Sequence, residues 1–152
     1  MRLWKTNLYL GECMPDVVLN KIQTIERCLK RIREEYVGFE DTFEENHTKQ
    51  DSVILNLERA SQASIDIATH IVKVRGLGLP NTSRELFDLL LENSIISDDT
   101  CKQMQGMVGF RNIAVHDYQN LNIEIIVAIV EKHLGNFDVF VSEVFSGFLD
   151  EK

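Results

Sequence analysis

Apolar positions along this chain recur at helical spacing, and no stretch alternates as a half-buried strand would. Val18, Ile22, Ile25, Leu29, Ile32 and Tyr36 follow a 3-4 rhythm over five turns, which predicts a long first helix with one buried stripe, opened by Asp16. The pattern breaks from Val37 to Gln50, where Gly38 and an acidic run (Glu40, Asp41, Glu44, Glu45, then Asp51) predict a polar connection. A second long helix is expected from Asp51 or Ser52, with Val53, Leu57, Ala60, Ser64, Ile67, Ile71 and Val74 as its stripe. Gly76-Leu77-Gly78-Leu79-Pro80 stops it, because glycine takes the left-handed cap and proline forbids continuation. Thr82-Ser83-Arg84-Glu85 reads as a capping box for a short helix through Leu91. Ser97 or Asp98 starts a third long helix that ends around Tyr118-Gln119-Asn120, with Met104, Met107, Val108 and Phe110 facing the core or a second copy. Asn122 caps the last helix, whose apolar positions run from Ile123 to Phe148, with Gly135 as the place for a bend. The expected fold is all-α: an antiparallel four-helix bundle with one extra short helix.

Within that frame, charge adds a constraint. The 152 residues carry a formal charge of −8, which argues against a protein that coats RNA broadly. Any RNA-binding protein of this composition either gathers its basic groups at one cleft or binds RNA weakly and locally, and the acidic groups are also available to a partner. Lys21, Arg27, Lys30, Arg31 and Arg33 supply most of the basic density of the first half; they are read as a solvated helix face, or as an edge for RNA or for a partner. Three cysteines, Cys13, Cys28 and Cys101, form no metal-binding pattern, and Cys28 falls on the buried stripe of the first helix. Reduced thiols and a cytoplasmic setting are expected. No run is long and apolar enough for a membrane span, so no membrane partner is expected. Asp66 and His70, four apart, are read as an ordinary pair on one helix face, and His47 and His133 as surface histidines.

The chemistry concentrates in Gly109-Phe110-Arg111-Asn112-Ile113-Ala114-Val115-His116-Asp117-Tyr118. His116 has an unperturbed pKa near neutrality and can serve as general acid or base. Arg111 offers a permanent planar charge for a phosphate or a developing oxyanion. Tyr118 can donate a hydrogen bond or receive a modifying group. Arginine and histidine without an acidic cluster suit metal-independent cleavage of RNA, in which the ribose 2′-hydroxyl is the internal nucleophile. No cofactor or metal is expected. On a regular helix, however, Arg111 and His116 stand about 140° apart, so one copy does not converge on a small substrate. Either the helix ends near His116, or two copies face each other across a dimer; the second is the favoured expectation. A lone histidine in a last helical turn is also a common structural feature, held there by the helix dipole.

The segment resembles the R-x4-H-x-Y signature of the HepT-like toxins, a branch of the HEPN superfamily; Arg111, His116 and Tyr118 match it position for position. Leu57-Glu58-Arg59-Ala60, Ile65-Asp66-Ile67-Ala68-Thr69-His70-Ile71, Gly76-Leu77-Gly78-Leu79-Pro80 and Met107-Val108-Gly109-Phe110-Arg111-Asn112 resemble family stretches in family order. Together they cover the chain from about Met14 to near its C-terminus. The resemblance implies an all-helical homodimer that acts as an endoribonuclease toxin on RNA. It also implies an MntA-type nucleotidyltransferase antitoxin that transfers AMP from ATP to the motif tyrosine, here Tyr118, and so silences the nuclease. Asn112 matches the polar residue that often follows the arginine in HEPN nucleases. An adenylyl group on Tyr118 would place bulk and negative charge beside Arg111.

The family likeness begins only at Met14, which makes residues 1–13 an N-terminal extension, read as the product of an upstream start, ahead of a single domain over 14–152. The rival function is a non-catalytic helical binding module, partner and substrate of a nucleotidyltransferase, which the acidic charge favours. An intact Arg111–His116 pair argues against it.

Overall fold

The computed structural model describes residues 16–149, so the expected extension at 1–13 lies outside the described residues. Six α-helices follow in order: α1 (Asp16–Tyr36), α2 (His47–Arg75), α3 (Ser83–Glu92), α4 (Asp98–His116), α5 (Ile123–Lys132) and α6 (Gly135–Leu149). No strand occurs among the described residues. The stripe of α1 is buried as its spacing requires, from Val18 to Tyr36. It packs along α2, whose Ala60, Ala63, Ser64 and Ala68 are also buried and let the two backbones approach closely. Gly76 ends α2 at φ +60°, and the Leu77 N–H reaches back to the Val72 carbonyl at 3.0 Å, closing the cap that the glycine-rich run predicts.

Four expectations change. The polar connection contains a buried anchor: Phe43 sits edge-on to Tyr36, ring centres 5.0 Å apart, in a 3₁₀ turn over Phe43–Glu45. Asn46 then caps α2 by accepting the Lys49 N–H, so α2 starts at His47, four residues before the expected Asp51. Val74, placed on the α2 stripe by its spacing, is exposed because the last turn of α2 runs past the core. Finally, the long C-terminal helix is two helices. Its apolar stripe stays in phase from Ile126 through Leu134 to Phe148, so the pattern conceals the break. The break falls just before Gly135, a residue of low helix propensity, and it separates two packing partners: α5 lies on α1, whereas α6 lies on α4 and α2.

The capping box forms at α3 with one shift. Thr82 accepts the Glu85 N–H at 3.3 Å, but the Glu85 carboxylate takes the N–H of Asn81 rather than that of Thr82, at 2.7 Å. Ser97 and Asn122 cap α4 and α5 as expected. No helix among the described residues is long and apolar enough to cross a membrane. The large apolar groups of α6 do not need a second copy, since Phe137, Phe140 and Val144 are fully inside one chain.

Candidate active site

α4 delivers the motif. Its buried residues Met104, Met107, Phe110 and Ala114 anchor one face, which leaves Asn112, Ile113, Val115 and His116 exposed on the other. Arg111 lies at the border between the two and turns toward α2. Its Nε donates to Gln62 Oε1 at 2.9 Å, and its Nη1 donates to Asn112 Oδ1 at 2.7 Å. Gln62 is itself held: its amide donates to Asp66 Oδ1 at 2.9 Å, and Asp66 pairs with Lys21 on α1 at 2.9 Å. A relay of four side chains across three helices thus fixes the guanidinium. Its Nη2 group makes no hydrogen bond to a described residue, which leaves donors free for an anion. Asp66 is committed to this relay, so the Asp66–His70 pair read from the sequence does not form.

The helix ends at His116, with Asp117 as its C-cap, as the first of the two geometric routes has it; Arg111 and His116 both still lie within the helix, about 140° apart. Tyr118 therefore leaves the α4 helical register and sits in a 3₁₀ turn, Tyr118–Asn120, steadied by Asn120 donating to the Asp117 carboxylate at 2.8 and 3.0 Å. The Tyr118 hydroxyl donates to Asp51 Oδ1. That bond, with burial and the negative charge of Asp51 adding to it, pushes the phenol up to about 12. The tyrosine is protonated at neutral pH, with its proton already shared with a carboxylate. Its side chain is still 44% exposed and open to chemistry from outside.

Asp51 and Gln62 are eleven apart on α2, within about 20° of one row. Arg111 and Tyr118 thus contact the same side of α2, at points separated by about 16 Å along its axis. The exposed His116 side chain forms no hydrogen bond or ion pair with a described residue. The structure therefore brings Arg111 to Asn112 and Tyr118 to Asp51, and leaves His116 exposed in the last turn of α4 with no hydrogen bond to either. Neither Gln62 nor Asp51 is picked out as a site residue from the sequence. Their shared row on α2 is legible in the spacing; that α4 lies against that row is not.

Beside the motif, Met107, Phe110, Ile113, Leu121, Ile125 and Ile129 line an apolar hollow of about 430 Å³ between α4 and α5. Ile113, Val115 and Ile125 are exposed at its edge and on the motif face. His133, read as a surface residue, is half-buried on the rim of this hollow and contacts Asn136 at 3.1 Å.

Comparison with known proteins places this geometry. The family described as ribonuclease HepT-like matches residues 25–144. The mRNA nuclease HepT of Shewanella oneidensis is 48% identical over 131 residues, covering 86% of this chain and 98% of that protein. The tRNA nuclease HepT of Aphanizomenon flos-aquae is 24% identical over 133 residues, 87% of this chain and 90% of that protein. A solved structure of the tri-AMPylated Shewanella oneidensis HEPN toxin in complex with MNT antitoxin superposes with a TM-score of 0.83 at 47% identity. It covers 88% of this chain and 99% of that one. On the strength of the family match and of a relative nearly half identical along almost its whole length, this chain belongs to the HepT-like ribonuclease family.

Proposed function

We propose that this protein is the toxin of a toxin–antitoxin pair: an endoribonuclease that acts in the cytoplasm and is silenced when a nucleotidyltransferase antitoxin adds AMP to Tyr118. The observation that carries the reading is the state of Arg111. Its guanidinium is held through Gln62 and Asp66 and by Asn112, yet its Nη2 group makes no hydrogen bond to a described residue, and the side chain is only partly buried. Holding an arginine still before substrate arrives reduces the reorganisation needed to bind a phosphate as charge develops on it.

In the proposed reaction the ribose 2′-oxygen attacks the adjacent phosphorus and its proton passes to a base. The 5′-oxygen leaves with a proton from an acid, giving a 2′,3′-cyclic phosphate and a 5′-hydroxyl. His116 serves as acid or base, Arg111 holds the scissile phosphate, and Asn112 assists by fixing Arg111. A second copy, seated on the apolar edge made by Ile113, Val115 and Ile125, would bring a second His116 to the same cleft and separate the two proton-transfer roles. Residues 14–152 act as one domain in this reading. AMP on Tyr118 would place a phosphodiester charge on the same side of α2 as Arg111 but about 16 Å along its axis, not beside the arginine as the spacing suggests, where it competes with an RNA strand long enough to span both. The relatives named as nucleases, and the AMPylated toxin bound to its antitoxin, support the same assignment.

The test is cleavage of mixed cellular RNA in EDTA by the unmodified protein and by His116→Ala. Cutting by the first with cyclic phosphate ends, and none by the second, is the expected result. Equal cutting by both would remove His116 from the reaction. Absence of cutting by AMP-free wild-type protein that still binds the antitoxin would favour the binding-module reading.

A further inference from the structure

Three arginines of this acidic chain stand together without carboxylate partners. Arg27 and Arg31 on α1 and Arg59 on α2 line an open groove of about 520 Å³, with Thr24, Ser52 and Asn56 between them. Of the other described cations, Lys21, Arg33, Lys49 and Lys102 each lie within 4.0 Å of a carboxylate, whereas Lys30, Lys73, Arg84 and Lys132 do not, and none of these four lines the groove. Arg27, Arg31 and Arg59 form no such pair with any described residue; Arg27 reaches only the Thr24 hydroxyl, at 3.4 Å. The two sides of the groove act on one point: the buried Cys28 thiol beneath it is pushed up by desolvation, and Arg59 and then Arg27 oppose that rise. Three exposed like charges held together repel one another, and the arrangement is relieved by a bound polyanion.

The groove lies next to the motif. On α2, Asp51 and Gln62, which hold Tyr118 and Arg111, share a row with Leu55, and Ser52, Asn56 and Arg59 form the next row toward α1. One helix, α2, carries both Gln62, which holds Arg111, and Arg59, which lines the groove. Leu55, 42% exposed, lines the groove on that side and offers an apolar surface to a base or ribose.

We propose that the α1–α2 groove is a phosphodiester-binding track for single-stranded RNA, in which Arg27, Arg31 and Arg59 hold backbone phosphates of the strand whose scissile phosphate lies at Arg111. This inference rests on the ribonuclease reading. It resolves the conflict between a net charge of −8 and an RNA substrate, because the basic charge is local and unpaired where the strand must pass.

The experiment measures anisotropy of a labelled single-stranded RNA on the cleavage-dead His116→Ala protein, with and without Arg27→Gln, Arg31→Gln and Arg59→Gln together. The triple substitution is expected to weaken binding about tenfold or more at low salt, and to flatten the dependence of log Kd on log salt by about 2, the counterions of three phosphates on a single strand. In the His116-containing protein, the same triple substitution should slow cleavage of long RNA and leave a dinucleotide, too short to cross α2, cut at the wild-type rate. Unchanged affinity and salt slope would overturn the proposal, as would equal loss on both substrates. Loss of antitoxin binding with RNA affinity intact would also overturn it, making the groove a protein contact. If wild type neither binds nor cuts RNA, the ribonuclease reading itself falls; if wild type cuts and the triple variant is unaffected, only the groove does.

Discussion

The seam between α1 and α2 and the corner where α4 ends are built on opposite principles. Along the seam, Val18, Ile22, Ile25 and Leu29 meet Leu57, Ala60, Ser64 and Ile67, all essentially without solvent contact. At the corner, nearly every residue from Asn112 to Asn120 is exposed, Ala114 being the exception, and order comes from a few polar bonds: Arg111 to Gln62, Tyr118 to Asp51, Asn120 to Asp117. A packed seam is specified by area and shape, so many contacts share its cost. The corner depends on single hydrogen bonds, each of which can be removed without disturbing the fold. Stability and function should therefore separate cleanly between the two regions.

The largest separation is expected at the extremes. His116→Ala should reduce RNA cleavage by about 10²- to 10⁴-fold, the usual contribution of a positioned acid or base, with thermal stability close to wild type because the side chain is exposed and unbonded. Leu57→Ala, in the middle of the seam, should do the reverse. It should cost about 2–5 kcal/mol in chemical denaturation and leave the specific activity of the folded fraction unchanged. A motif substitution that unfolds the protein, or a seam substitution that selectively removes cleavage, would break the contrast.

Gly147 offers a smaller test on the packed side. A Cβ there would meet the Ile95 carbonyl at 2.9 Å and its Cα at 3.1 Å, backbone atoms that cannot swing away. Gly147→Ala should cost about 1–3 kcal/mol as overpacking, measured by the shift of the unfolding midpoint; a neutral result would mean that the turn before α4 yields more readily than a core does.

The same contrast explains what was legible in the chain. The seam follows from periodicity: all six positions of the α1 stripe are buried, and the Gly76 cap falls where glycine and proline require it. Phe43 escaped because one aromatic in an acidic loop has no period to betray it. The break before Gly135 escaped because the stripe remains in phase across it, while what changes is the neighbouring helix. At the corner, Arg111, Asn112, His116 and Tyr118 are recognisable as residue types at a spacing. Their orientation depends on Gln62 and Asp51, which belong to another helix and carry no local signal. Spacing on a continuous helix even misplaces Tyr118, since the helix stops two residues earlier. Tertiary neighbours, not local pattern, decide such details.

Gln62 lets the corner be loosened without touching the motif. Gln62→Ala removes the acceptor of the Arg111 Nε–H and disconnects Asp66 from the relay. Cleavage should fall by about tenfold, equivalent to one hydrogen bond to a charged group, while stability changes by less than about 1 kcal/mol. The loss should appear in kcat rather than KM if the relay fixes Arg111 for the transition state. A pure KM effect would mean that Arg111 serves ground-state binding alone.

The smallest and most local effect concerns Tyr118. Its phenol is pushed up to about 12 first by the hydrogen bond to Asp51, so Asp51→Asn should return it toward the ordinary value of about 10. Absorbance titration of tyrosinate resolves this when wild type and Tyr118→Phe are titrated beside it, because Tyr36 is also pushed up to about 12, chiefly by burial. The sign for stability follows from the direction of the shift. The folded state favours the protonated phenol, so the contribution is complete below about pH 10 and disappears as the pH rises from about 10 to 12. Asp51→Asn should therefore flatten the alkaline loss of stability, and whatever stability it removes should be missing below about pH 10, neutral pH included. For modification the consequence runs the other way: in AMP transfer the Tyr118 oxygen would attack the α-phosphorus of ATP as pyrophosphate leaves, its proton would need an acceptor, and the Asp51 carboxylate already accepts its hydrogen bond. AMP transfer to Asp51→Asn at neutral pH should be slower than to wild type even though its tyrosine is the stronger acid. Faster transfer to the variant would show that Asp51 restrains Tyr118 rather than activating it.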